Sequence, residues 1–251
     1  MNAHRIEHAL PDRRLEQQLV TYDDDSTPLA GVLVWDDGRT GPRPGVLVVH
    51  GGAGLDDHAR GRARRLAELG YLVFACDMYG EGVAGDRQRV MEQITELTAD
   101  RHRLRRRAQA GLDVLAAHPR IDGRLAAVGY CFGGMTVLEL ARGGSQIAAA
   151  ASIHGSLETT QPAEPGMITA AILVCHGAAD PHVPLTHVAH FTDEMNHAQA
   201  DWQLIIYGGA QHGFTHDVAS GIRVPGVAYH ATADARSQDA LKRFLGEVLE
   251  E

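Results

Sequence analysis

Short apolar runs rich in β-branched residues alternate along the chain with stretches whose apolar positions recur at helical spacing. The runs Gly31 to Trp35, Gly45 to His50, Tyr71 to Cys76, Leu125 to Tyr130, Ala148 to Ile153, Ala171 to His176 and Trp202 to Tyr207 predict strands. Arg60 to Leu69, Asp86 to Asp100, His102 to Ala117, Phe132 to Arg142, Leu185 to Ala198 and Ala233 to Leu249 predict helices. Strands that are apolar throughout must be covered on both faces. The alternation therefore predicts an α/β fold, a mostly parallel sheet of about eight strands with helices on both faces. Gln17 to Asp23 and Leu29 to Asp36 are joined too tightly for a helix and predict an antiparallel hairpin at the N-terminal edge. Two long loops, Ser156 to Gly166 and Val218 to Tyr229, follow strands, where a site would lie.

The run RHRLRRR (Arg101 to Arg107) breaks this pattern with charge, but Leu104, Ala108, Gly111, Leu112 and Leu115 carry an apolar stripe through it. It reads as the solvated face of a helix and not as a nucleic-acid surface. The net charge of −9 likewise argues against nucleic acid or an anionic membrane as partner. The 251 residues suffice for one large core, and no shift in composition marks a second, so residues 1–251 are read as a single domain. The opening stretch MNAHRIEHALPDRRLEQQ lacks the apolar core of a secretion signal, and no apolar run is long enough to span a bilayer. A cytoplasmic protein is expected. The three cysteines form neither a disulfide framework nor a zinc-site pattern. Cys76 and Cys175, inside apolar runs, read as buried hydrophobes.

Cys131 differs. It sits in GYCFGG, directly after the apolar run Leu125 to Val128, with Gly129 two residues before it and Gly133 two after. Glycines on both sides let a strand turn sharply into a helix, which is the form of a nucleophile elbow. A thiol nucleophile needs a base and an acid to orient that base. HGAADPHVP places Asp180 just beyond a strand, and YGGAQHGF places His212 in a glycine-flanked loop beyond the last strand. The order nucleophile, acid, histidine is that of the α/β-hydrolase fold. Acyl transfer also needs donors for a developing oxyanion, and the N–H groups of Phe132 and, from the loop HGGAGL, of Gly52 are the candidates. His50, His154 and His176 each end a strand, yet no metal-ligand spacing accompanies them. Neither a metal nor a cofactor is expected.

With GYCFGG, Asp180, His212, CDMYGEG (Cys76 to Gly82), HPRIDGRLAAVGYCFGG and PGVAYHATADARSQDALKRFL (Pro225 to Leu245) in view, the chain resembles the dienelactone hydrolase family over nearly its whole length. The resemblance implies an α/β-hydrolase fold, a triad of Cys131, Asp180 and His212, and no cofactor. It also marks departures. Gly51 stands where the best-known members carry a glutamate that helps ionise the thiol, and Glu81 and His216 stand where they carry two carboxylate-binding arginines. The expected activity is hydrolysis of a small ester or lactone other than dienelactone itself, by a monomer or homodimer. Expected pocket residues are His50, Glu81, Tyr130, His154, Phe214 and His216. The same departures leave open a degenerate hydrolase that binds a small molecule or a protein without turnover.

Overall fold

The computed structural model describes residues 14–25, 27–217 and 224–250. The opening stretch up to residue 13 and the part of the second long loop at 218–223 lie outside them. The chain order is β1 (Leu15–Asp23), β2 (Pro28–Asp36), β3 (Arg43–Val49), α1 (Asp57–Glu68), β4 (Leu72–Cys76), α2 (Arg87–Ala99), α3 (Arg101–Ala116), β5 (Ile121–Tyr130), α4 (Phe132–Arg142), β6 (Ala149–Ile153), β7 (Ala171–Gly177), α5 (Leu185–His197), β8 (Trp202–Tyr207) and α6 (Ala231–Glu250).

The strands form one eight-stranded sheet in the order β1-β2-β4-β3-β5-β6-β7-β8. β1 pairs antiparallel with β2, and β2 antiparallel with β4, while every pair from β4 to β8 is parallel. This is the α/β-hydrolase arrangement. Successive residues of the central strands face opposite layers. Leu47, Val49, Leu72 and Phe74 pack on one side with α3, α4 and α5, and Val46, Val48, Val73 and Ala75 on the other with α1 and α6. Both sets are fully buried, at about 1.5–3 kcal/mol for each large aliphatic side chain.

Two boundaries differ from expectation. β5 begins at Ile121 and not at Leu125, because its first four residues are mostly exposed and carry no apolar signal. They reach the sheet through Arg43, opposite Ile121, beside a register shift in β3. α1 begins three residues early because Asp56 caps it, its side chain accepting the Ala59 N–H at 3.0 Å.

The arginine run corrects the reading of a solvated face. Arg107 is fully buried, bound to Asp24 at 2.6 Å, to the Met78 carbonyl, to Gln93 and to Thr27. It ties the edge hairpin to the loop after β4 and to α2. Arg105 pairs with the buried Glu139 of α4, and Arg101 is buried against Met135. Only Arg106 of the five is exposed. A stripe that covers apolar surface on a helix can still bury a guanidinium when a carboxylate meets it, which helical periodicity does not register.

Candidate active site

β5 ends at Tyr130 and α4 starts at Phe132, so Cys131 alone turns the chain, at φ 54° and ψ −114°. A side-chain-bearing residue is strained there and must be held by its surroundings. The glycines permit the approach. A Cβ on Gly133 would stand 2.1 Å from the Val49 carbonyl oxygen, and one on Gly129 would stand 2.0 Å from that of Gly133. The Cys131 N–H donates to the Ile153 carbonyl at 3.0 Å and to Nδ1 of His154 at 3.1 Å. His154 is itself at φ 42°. Because its Nδ1 accepts, its Nε2 carries the proton, 2.8 Å from Thr215 Oγ1.

Three elements converge on the thiol. His212, in the loop after β8, brings Nε2 to 3.1 Å from Cys131 Sγ. Its Nδ1 donates to Asp180 Oδ2 at 2.8 Å. The other oxygen of Asp180 accepts the N–H groups of His182 and Val183 at 2.8 and 3.1 Å, which fixes the carboxylate at the end of β7. Burial opposes charge on all three groups, and their mutual contacts overcome it. Burial pushes the Cys131 thiol up, yet the His212 bond and charge, with N–H groups of Gly52 and Phe132, bring it below its ordinary value. Burial pushes His212 down, yet Asp180 and Cys131 raise it to about 10. Asp180 is held low, its burial outweighed by the bond and charge of His212. The directions ease ionisation of the thiol and hold the proton on the imidazole.

The loop after β3, which carries Gly51 and Gly52, is held from behind. The buried His50 bonds through Nδ1 to the Gly51 carbonyl at 2.7 Å and accepts the Met78 N–H on Nε2 at 3.0 Å. Tyr79 donates its hydroxyl to the carbonyls of Gly51 and Gly52 at 3.3 and 3.4 Å. The Gly51 carbonyl and the Gly52 N–H belong to one trans peptide and point opposite ways. Anchoring the carbonyl aims the N–H at the thiol.

The expected pocket residues divide. Glu81 is exposed and lines a cavity of about 470 Å3 with Thr27, Tyr79 and Arg89. His216 lines one of about 550 Å3 with His58, Arg62 and Tyr229, and stacks on His58 at 3.8 Å. A Cβ on Gly51 would lie 3.6 Å from both Cys131 Cβ and His216 Cε1, so Gly51 borders the thiol with room to spare. His50, Tyr130, His154 and Phe214 are instead buried beneath the site, a correction to their reading as walls. Phe214 packs edge-on against His154, and Tyr130 edge-on against His58. Strand-end position indicated proximity to the centre but not the direction of the side chain. Tyr79 and Thr215 were missed. Tyr79 was within reach, since it lies in CDMYGEG, whereas nothing local distinguishes Thr215.

Among the described residues, no group of three or more His, Cys, Asp or Glu is arranged to hold a metal ion, and no helix is long and apolar enough to cross a membrane. Cys76 and Cys175 are buried, and burial raises both thiols, Cys175 to about 12.

The family model of the dienelactone hydrolase family matches residues 29–249. A solved structure described as a dienelactone hydrolase-like promiscuous phosphotriesterase from metagenomic libraries is 42% identical, covers 94% of this chain and 99% of its own, and superposes with a TM-score of 0.88. A protein of Yersinia pestis provisionally named carboxymethylenebutenolidase is 28% identical over 95% of this chain and 90% of its own. One of Escherichia coli with the same provisional name is 30% identical over 82% and 76%.

Proposed function

The chain belongs to the dienelactone hydrolase family, hydrolases of lactone and ester type, and on that premise we propose that Cys131, His212 and Asp180 form its catalytic triad. The observation that carries this reading is the 3.1 Å approach of His212 Nε2 to Cys131 Sγ, with Asp180 2.8 Å from the other ring nitrogen. The Cys131 thiolate attacks the carbonyl carbon of an ester or lactone, and the N–H groups of Gly52 and Phe132 receive the oxyanion. The tetrahedral adduct collapses to a thioester. The leaving alkoxide takes the proton from His212 Nε2. His212, now neutral, removes a proton from water. The hydroxide attacks the thioester, and the acid departs as Cys131 returns to thiolate and His212 to imidazolium. Asp180 keeps the ring oriented and stabilises its charge.

Gly51 supplies no carboxylate beside the thiol, so His212 and the two N–H groups are what lower Cys131 from its ordinary value. Glu81 opposes a carboxylate on its own side by about 1–4 kcal/mol at contact distance. That disfavours dienelactone in the orientation the family's arginines would give it. The 42%-identical relative extends the candidates to neutral phosphotriesters, which the same thiolate can attack at phosphorus.

Assay of Cys131→Ala on a chromogenic short-chain ester tests the assignment, with an expected loss of at least about a thousandfold in kcat. Retention of most activity would overturn it. A wild-type thiol that labels no faster than free cysteine, with no turnover of any short ester, would favour the binding module instead.

A further inference from the structure

The apolar stripe of α2 is wider than the core that covers it. Val90 and Leu97 lie almost in line along the helix, and both are buried. Ile94, one turn on from Val90 and rotated roughly 40° round the axis, is only partly buried, and Met91, at roughly 100°, is 53% exposed. On the other side of the stripe Gln93 is taken up by Arg107. The uncovered flank is therefore an apolar one. Arg87 and Thr98, both exposed, close it at either end, so it offers two apolar side chains and no more.

Ile94 stays uncovered because the residue facing it has no side chain. A Cβ on Gly52 would meet Ile94 Cδ1 at 3.8 Å, and no other residue beyond its chain neighbours comes within 4 Å. Gly52 is also the residue whose N–H helps to lower the Cys131 thiol, so the space in front of Ile94 opens on the reacting centre. α2 is fixed there by its Asp86 cap and by the bond from Arg89 to the Gly82 carbonyl at 3.0 Å. The other groups around the thiol already have their parts in an acyl transfer. The carbonyl oxygen goes to the N–H groups of Gly52 and Phe132, and the leaving oxygen must meet His212 Nε2, which arrives from the loop after β8. The acyl chain is the substituent left to extend past Gly52 onto α2.

We infer that Ile94, with Met91 beyond it, is the acyl subsite, and that it selects esters whose acyl part is an uncharged alkyl chain of several carbons. This rests on the hydrolase reading and names a substrate class for it. A chain laid from Gly52 across Ile94 toward Met91 removes apolar surface from water on both partners, and the gain grows with the area covered. A charged acyl end would lose its hydration against the same two side chains without gaining a partner from them. The wall touches the chain equally before and during the reaction, so its effect falls on KM.

The test compares 4-nitrophenyl hexanoate with 4-nitrophenyl acetate on wild type, Ile94→Asn, Ile94→Val and Ile94→Trp. The ratio of kcat/KM for hexanoate to that for acetate is expected to exceed one in wild type and to fall about tenfold in Ile94→Asn, mainly through KM. Ile94→Val should keep most of the preference. Ile94→Trp, which fills the space beside Gly52, should lower the ratio by a comparable factor. A ratio unmoved by both Asn and Trp, or equal losses on the two esters, would overturn the subsite. A binding arm needs no turnover: the uncharged hexanamide should raise the Tm of Cys131→Ala more than acetamide does, and should lose that advantage in Cys131→Ala carrying Ile94→Asn. If wild type hydrolyses neither ester while hexanamide binding still depends on Ile94, the hydrolase reading alone fails. If it hydrolyses both with no dependence on Ile94, the subsite alone fails.

Discussion

Nδ1 of His154 accepts the backbone N–H of Cys131 at 3.1 Å, joining two side-chain-bearing residues that both have positive φ. The bond is one end of a relay. Through Nε2, His154 reaches Thr215, which is three residues beyond His212 and also 3.0 Å from Nε2 of His58. The strained backbone of Cys131 and the loop that carries His212 are thus braced against each other. Thr215→Val removes the shared hydroxyl at nearly constant volume. The expected result is a fall of about tenfold in kcat with KM little changed, measured on a neutral ester, since one buried polar partner is lost without loss of the fold.

The thiolate absorbance near 240 nm should report the charge state of Cys131 directly. With the thiol held below its ordinary value and His212 raised to about 10, the ion pair occupies the pH window between them. As pH falls through the lowered thiol value, the thiolate band and activity disappear together. As pH rises through about 10, His212 loses the proton that the leaving group needs, and kcat declines. Because the folded value of His212 is the raised one, its contribution to stability is full below the ordinary imidazole range and fades as pH approaches about 10. In His212→Ala only the two N–H groups remain against burial, so the thiolate band at pH 8 should vanish. Its persistence would mean that the helix start alone ionises the thiol.

Tyr79→Phe frees the carbonyls of Gly51 and Gly52 from their hydroxyl donor and leaves the packing against His50 and Phe132 in place. The Gly52 N–H then loses part of its aim. A drop of about tenfold in kcat is expected with unchanged thermal stability, and an equal change in KM would point to binding and not to the oxyanion.

Two glycines of the site should respond oppositely to alanine. Gly51→Ala meets nothing closer than 3.5 Å and should shift stability by less than about 0.5 kcal/mol in denaturant titration. Gly133→Ala would press a methyl to 2.1 Å from the Val49 carbonyl and should cost more than about 3 kcal/mol, because neither backbone can yield.

Arg107→Ala strands Asp24 and leaves the Met78 carbonyl without its guanidinium donor. A loss of about 3–5 kcal/mol is expected for breaking a buried pair from one side, read as a lower denaturant midpoint. A change under about 1 kcal/mol would return this residue to the solvated class that its sequence context suggests.

Much of the architecture was legible along the chain. Runs such as Val46 to Val49 and Leu72 to Cys76 are apolar without alternation, which only a doubly covered strand tolerates, and the elbow declares itself because two backbones approach where a Cβ cannot fit. Less legible were features whose cause is distant in sequence. The exposed start of β5 pairs with Arg43, and the burial of Arg107 depends on Asp24, 83 residues away.

Local pattern by itself determined the sheet, the elbow and the chain order Cys131, Asp180, His212, since periodicity, glycine spacing and loop position are properties of neighbouring residues. Tertiary structure alone decided which histidines face the reacting centre and which brace it, and which arginines of the five are buried. Those outcomes depend on groups brought together by packing: a ring nitrogen becomes donor or acceptor according to the partner it meets, and the Arg107 guanidinium is buried where a carboxylate from another element meets it.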